Sequence, residues 1–127
     1  MVEAILRTLL VRKRLQIAGF HGCLENCRNQ LSRRYFSYHS LEKEMFTTET
    51  LSQSIRLAAP FVQGKIKCLE FSLILIDMLV IRNIRPALHI GFQRYDLLSH
   101  AWLEINNNVV SEDENLKTKL TPIISVI

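Results

Sequence analysis

The first third of the chain repeats apolar residues at helical spacing. In "EAILRTLLVRKRLQIA", residues 3 to 18, Ala4, Val11, Leu15 and Ala18 fall on one face, and Ile5 and Leu9 widen the stripe towards Arg12 and Lys13. This predicts a partly amphipathic helix that Gly19 is suited to end. Residues 23 to 36 predict a second helix, with Leu24, Cys27, Leu31 and Tyr35 along one stripe. Ser40, followed by Glu42 and Glu44, has the chemistry of a helix start; Thr50 and Gln53 have capping-box spacing and suggest another, which Pro60 would end.

From Gly64 the texture changes. Lys67 to about Asn83 is apolar nearly all round, as expected for a helix covered on most sides. It exits at "RNIRP", because the residue before Pro86 is pushed out of helical geometry. "ALHIGFQR" then reads as a strand, "RYDLLS" as a loop, "HAWLEI" as a second strand, "NNN" as a turn and "VVSE" as a third strand. Helices followed by a meander give an α+β class. At 127 residues the chain suits one compact domain. Residues 1–58 would form its helical part, and 59–127 would hold the buried helix and the antiparallel strands.

The net charge of +4 is unevenly spread: residues 1–56 carry nine Lys/Arg against five Asp/Glu, whereas residues 57–127 carry seven of each. Arg12-Lys13-Arg14 and Arg33-Arg34 offer a basic surface for an acidic partner, but clusters this short are ordinarily a solvated helix face. Three cysteines, with no basic start before the short apolar stretch after Met1, imply a reduced, cytoplasmic setting. Glu70, Asp77 and Arg82 interrupt the most apolar segment before it reaches bilayer length, so no membrane role is expected. His21, Cys23 and Cys27 resemble a metal cluster only superficially, since a structural zinc wants four ligands at familiar spacings; no metal or cofactor is expected.

The chemistry centres on Cys68. At the first turn of the buried helix, unpaired backbone NH groups and the dipole favour negative charge, and thiolate is the nucleophilic form of cysteine. The NH groups of Cys68 and Leu69 are placed to serve a developing oxyanion. Taken alone, Cys68 reads more readily as a small buried hydrophobe, the common fate of a free cysteine. His100, at a strand start 32 positions later, supplies the base such a nucleophile needs. A third group would orient the imidazole, and the returning strand offers Glu112 and Asp113. Strand alternation decides between them: an odd connection such as Asn106 to Asn108 puts Glu112 on the face of His100, and a two-residue connection puts Asp113 there. Gln63, five residues before Cys68, is a further oxyanion candidate. Trp102 shares the face of His100 with Glu104 and is placed to shield the site; His89, inside a strand, reads as a packed or edge histidine.

"CLEFSL" at 68–73, "LVIRNIRPALHIGFQR" and "HAWLEINNNVVSED" together resemble the transglutaminase-like cysteine proteases that mature lasso peptides, the family that includes the microcin-processing leader peptidases. The likeness covers roughly residues 55–116 and rests on order and spacing rather than on any one motif. It implies a papain-like or transglutaminase-like fold in which Cys68 attacks a peptide carbonyl and His100 is general base and then acid. Carried over by position, the orienting acid falls on Glu112, where the family has aspartate, and Phe71 stands where many relatives have arginine. The resemblance further implies a precursor peptide as substrate, a leader-binding recognition protein and an ATP-dependent cyclase that closes the macrolactam; charge alone points to the basic N-terminal helices as the dock of the recognition protein. Two other expectations keep the same residues: an acyl transferase, if an amine resolves the acyl-enzyme, and a catalytically silent adaptor or nucleic-acid binder using the basic face.

Overall fold

A computed structural model describes residues 2–33, 40–62, 66–93, 99–105, 108–110 and 120–126. The helices are α1 (Val2–Arg33), α2 (Leu41–Ala58) and α3 (Cys68–Ile81), with a 3-10 turn at Ala59–Phe61 between the last two. The strands are β1 (Ala87–Gln93), β2 (Ser99–Ile105), β3 (Asn108–Val110) and β4 (Leu120–Val126). They form one antiparallel sheet in the order β3-β2-β1-β4. The architecture is α+β, helices first and an antiparallel sheet after them.

The α1 stretch is two helical arms joined at Gly19, whose φ of 73° and ψ of −179° interrupt the helix. A side chain strains that backbone even though a Cβ there would meet nothing within 4 Å. Three residues on, a Cβ at Gly22 would lie 2.7 Å from the Ala18 Cβ, so the arms leave the break in close contact. Ala4 and Val11 of the first arm and Leu24, Cys27 and Leu31 of the second are buried, as the periodicity predicts. Ala18, expected on the inner face, is exposed because the chain turns at the next residue.

The Ser40 hydroxyl caps α2 by accepting from the Lys43 NH. One continuous helix then runs through Thr50, contrary to the expectation of a second start there. The Thr50 hydroxyl instead donates to the Phe46 carbonyl, so the capping-box spacing is coincidental. Pro60 falls in the 3-10 turn that ends the helix.

Nine consecutive residues of α3, Ser72 to Val80, are buried. The two arms of α1 and α2 pack against it, and β2 covers another side. Its exit is a Schellman motif: Asn83 takes φ 60°, the Ile84 NH donates to the Leu79 carbonyl, and the Asn83 NH donates to the Val80 carbonyl. Ile84 is buried beyond the turn, which fixes where the chain re-enters the core.

Three ion pairs tie α1 to α3 and its exit turn: Glu3 to Arg82 at 2.7 Å, Arg12 to Glu70 at 2.8 Å and Arg14 to Asp77 at 2.7 Å. Glu3 meets the end of α3 and Arg12 its beginning, so the first arm runs antiparallel to α3. The Arg82 guanidinium holds the Glu3 carboxyl below the ordinary glutamate range. Burial pushes the Asp77 carboxyl up, with the Arg14 charge opposing it. The contact geometry identifies Arg14 as the countercharge that keeps a desolvated carboxylate in place.

Gly19→Ala is expected to cost about 1–3 kcal/mol in denaturant unfolding, because the new side chain meets open space and only the backbone objects. Asp77 is 6% exposed and Arg14 39%, so the two halves of their pair are not equivalent. Arg14→Met strands the buried carboxylate and is expected to cost on the order of 3 kcal/mol. Asp77→Asn, which frees an arginine able to reach water, costs less. A carboxyl whose folded pKa is raised binds a proton more readily when folded. Stability therefore gains as pH falls through the window just above the ordinary aspartate value, and the Arg14→Met deficit shrinks there. Unfolding curves at pH 4 and pH 7 measure the difference; a deficit that widens in acid contradicts the assignment.

Candidate active site

Cys68 is the first residue of α3 and is exposed. Lys67 precedes it in extended conformation and caps the helix without a side-chain hydrogen bond. Its carbonyl accepts from the Phe71 NH at 2.8 Å, closing the first turn. The NH groups of Cys68 and Leu69 belong to the turn that has no earlier helical carbonyl to bond, as the sequence implies for an oxyanion role. Arg12 holds Glu70 from α1, and the Arg56 guanidinium lies 5.5 Å from the centre of the Phe71 ring from α2, so both N-terminal helices grip this turn.

His100 is the second residue of β2, in register with Gly91 of β1. The chain leaves α3 through the tight turn at 82–86 and enters β1, whose far end carries Gly91 and Phe92. Pairing of Gly91 with His100 and of Phe92 with Ser99 brings the start of β2 to that same end. The side chain of His100, together with Gln63, Glu112 and Asp113, lies outside the described residues.

The third strand is informative through its register. Ile105 pairs with Asn108, Glu104 with Val109 and Leu103 with Val110, which leaves two residues, Asn106 and Asn107, in the connection. A two-residue connection is the case in which alternation assigns Asp113 to the face of His100. The predicted strand at "VVSE" starts one residue earlier, at Asn108.

Trp102 is 2% exposed and donates from Nε1 to Glu104 Oε2 at 3.0 Å. Its ring lies 5.5 Å from that of His89. His89 is bonded through Nδ1 to Ser125 Oγ at 2.8 Å, and its Nε2 lies 3.5 Å from Glu104 Oε2. The histidine read as a packed residue thus ties β4 and β2 across β1, a link no local signal announces because its serine is 36 positions away. Ala101, Leu103 and Ile105 alternate with these polar residues and enter the helical core.

Cys23 and Cys27 are free thiols inside the core. Burial pushes both up, Cys27 to about 12. Among the described residues, no three His, Cys, Asp or Glu side chains gather at metal-binding distance. Among those residues, too, no helix is long and apolar enough to cross a membrane.

The model of the transglutaminase-like superfamily matches residues 5–125, so the match takes in the N-terminal helices as well as the Cys68 and His100 segments. No curated protein and no solved structure matches the chain.

The three cysteines differ enough in exposure to be separated chemically. Iodoacetamide at neutral pH is expected to add one carbamidomethyl group to the folded protein, at Cys68, and three after denaturation, as intact mass and peptide mapping will show. Early modification of Cys23 or Cys27 in the folded protein contradicts the core placement of the second arm.

Proposed function

Because the chain belongs to the transglutaminase-like superfamily, a group that includes cysteine peptidases and acyl transferases, we propose that it is a cysteine peptidase that removes the leader from a lasso-peptide precursor. The observation that carries this reading is the exposed cysteine at the first position of α3, followed in the chain by a β1-β2 hairpin whose second strand carries His100. A buried structural cysteine has no need of that exposure, and a cysteine nucleophile does.

In the proposed mechanism, Cys68 Sγ attacks the scissile carbonyl carbon and His100 takes the thiol proton. The carbonyl oxygen becomes an oxyanion facing the NH groups of Cys68 and Leu69, with Gln63 as the candidate side-chain donor. Collapse of the tetrahedral adduct breaks the C–N bond, and His100 returns the proton to the departing amine. Water then attacks the thioester with His100 as base, releasing the leader as a carboxylic acid and restoring the thiol. The freed amine is the N-terminus of the core peptide and the nucleophile a downstream ATP-dependent cyclase would use for the macrolactam.

An acid completes the triad by bonding the second imidazole nitrogen. The two-residue connection between Ile105 and Asn108 favours Asp113, while positional likeness to the family favours Glu112. Trp102, buried beside this part of β2, is proposed to keep water from the site. A leader-binding protein is proposed to deliver the precursor, with the N-terminal helices as its dock. The same acyl-enzyme offered an amine instead of water would make the protein a transferase.

Incubation with a candidate precursor and the leader-binding protein, followed by intact mass, tests the proposal. Cys68→Ala and His100→Ala are expected to lose on the order of a thousandfold in cleavage rate. Asp113→Ala is expected to lose much more than Glu112→Ala; the reverse would return the role to Glu112. Full cleavage by Cys68→Ala would dismiss the peptidase, and amine-dependent product masses would replace hydrolysis with transfer.

A further inference from the structure

The first arm of α1, before the break at Gly19, is apolar on two sides. Ala4, Thr8 and Val11 are buried on its inner side. On the other side Val2, Leu6, Leu9, Leu10 and Ile17 are between 46% and 76% exposed. At 3.6 residues per turn these five and Lys13 fall within one arc of about 100°, centred about 180° from the buried stripe. Val2, Leu6, Leu9 and Lys13 are spaced four, three and four, the seam spacing of paired helices, and Leu10 and Ile17 flank that seam.

Lys13 decides what covers this stripe. It is exposed, lies near the middle of the arc, and has no ion-pair or hydrogen-bond partner among the described residues. Its neighbours Arg12 and Arg14 are held by Glu70 and Asp77. A second copy of the chain fits badly, because the stripe contains no Asp or Glu. Parallel pairing sets Lys13 against Lys13, and antiparallel pairing centred on Leu9 and Leu10 sets it against Leu6. A bilayer surface fits badly too, since a helix lying flat on this side would bring the central ammonium to its deepest point.

We infer that the outer face of the first arm docks an amphipathic helix of a partner protein, one whose apolar stripe carries a single Asp or Glu opposite Lys13. The inference gives the dock on the N-terminal helices its residues and its partner's chemistry, and it uses none of the Cys68 chemistry. A seam lysine is paired by a facing carboxylate and left desolvated by an apolar or basic residue, so this one position selects the partner.

The test uses the full chain and two hydrocarbon-stapled, fluorescein-labelled helical peptides that differ only in the central residue of a leucine seam, glutamate in one and lysine in the other. Fluorescence anisotropy is expected to show the glutamate peptide binding about tenfold more tightly. Lys13→Glu is expected to reverse that order, which a merely solvated lysine would not produce. Leu6→Ser with Leu10→Ser is expected to weaken the glutamate peptide about tenfold or more at an unchanged melting temperature, since both side chains are exposed. Equal affinity for the two peptides, a preference that survives Lys13→Glu, or no saturable binding of either would overturn the inference. Sedimentation of the chain alone as a dimer that the Leu6/Leu10 double variant dissociates would give the face to a second copy. Binding to phosphatidylserine vesicles that the same variant abolishes would give it to a membrane; either result overturns the inference and leaves the peptidase reading standing.

Discussion

Everything in this fold follows from a helix that has no polar side to show to water. The nine-residue buried run of α3 must be covered all round, and the chain covers it with two arms of α1, with α2 and with β2. Only the ends of such a helix reach the surface. The N-terminal end carries Cys68, exposed, with helix-start NH groups beside it, and the C-terminal end carries the Asn83 turn that launches the sheet. Burial of the middle thus leaves an exposed thiol at the tip as a by-product of packing.

Charge fixes that helix rather than merely decorating the surface. The basic excess of the N-terminal part looks in sequence like a docking face. Part of it is engaged by α3: Arg12 and Arg14 meet Glu70 and Asp77, and the exposed Arg56 sits over Phe71. These contacts hold the first turn of α3 from two directions. A helix end gripped by two other helices holds its first residues more firmly than a loop would.

The legible parts of the fold were those whose signal is local. Gly19 as the break in α1, Ser40 as the cap of α2, the start of α3 at Cys68 and the β1-β2 hairpin all rest on residues within one or two turns of one another. Thr50 misled because capping-box spacing also occurs by chance inside a helix. The strand at Leu120–Val126 went unseen: Pro122 argues against a strand until it is known that β4 is an edge and that the register shifts between Ile90 and Gly91. The ties of Arg12 to Glu70 and of His89 to Ser125 join residues 58 and 36 positions apart, and no window of sequence contains such a pair. At the candidate site, the proposal of Cys68 and His100 rests on residue type and element boundaries, and the choice of a third member turns on one residue in the connection after Ile105.

The central claim is that the imidazole of His100 serves the sulfur of Cys68, and reactivity reports that coupling most directly. The rate of iodoacetamide addition at Cys68, measured at neutral pH in the wild type and in His100→Gln with matched thermal unfolding, is expected to fall by about tenfold or more in the variant. Equal rates in two equally folded proteins would contradict the claim, since a histidine that leaves the thiol unaffected is not its partner.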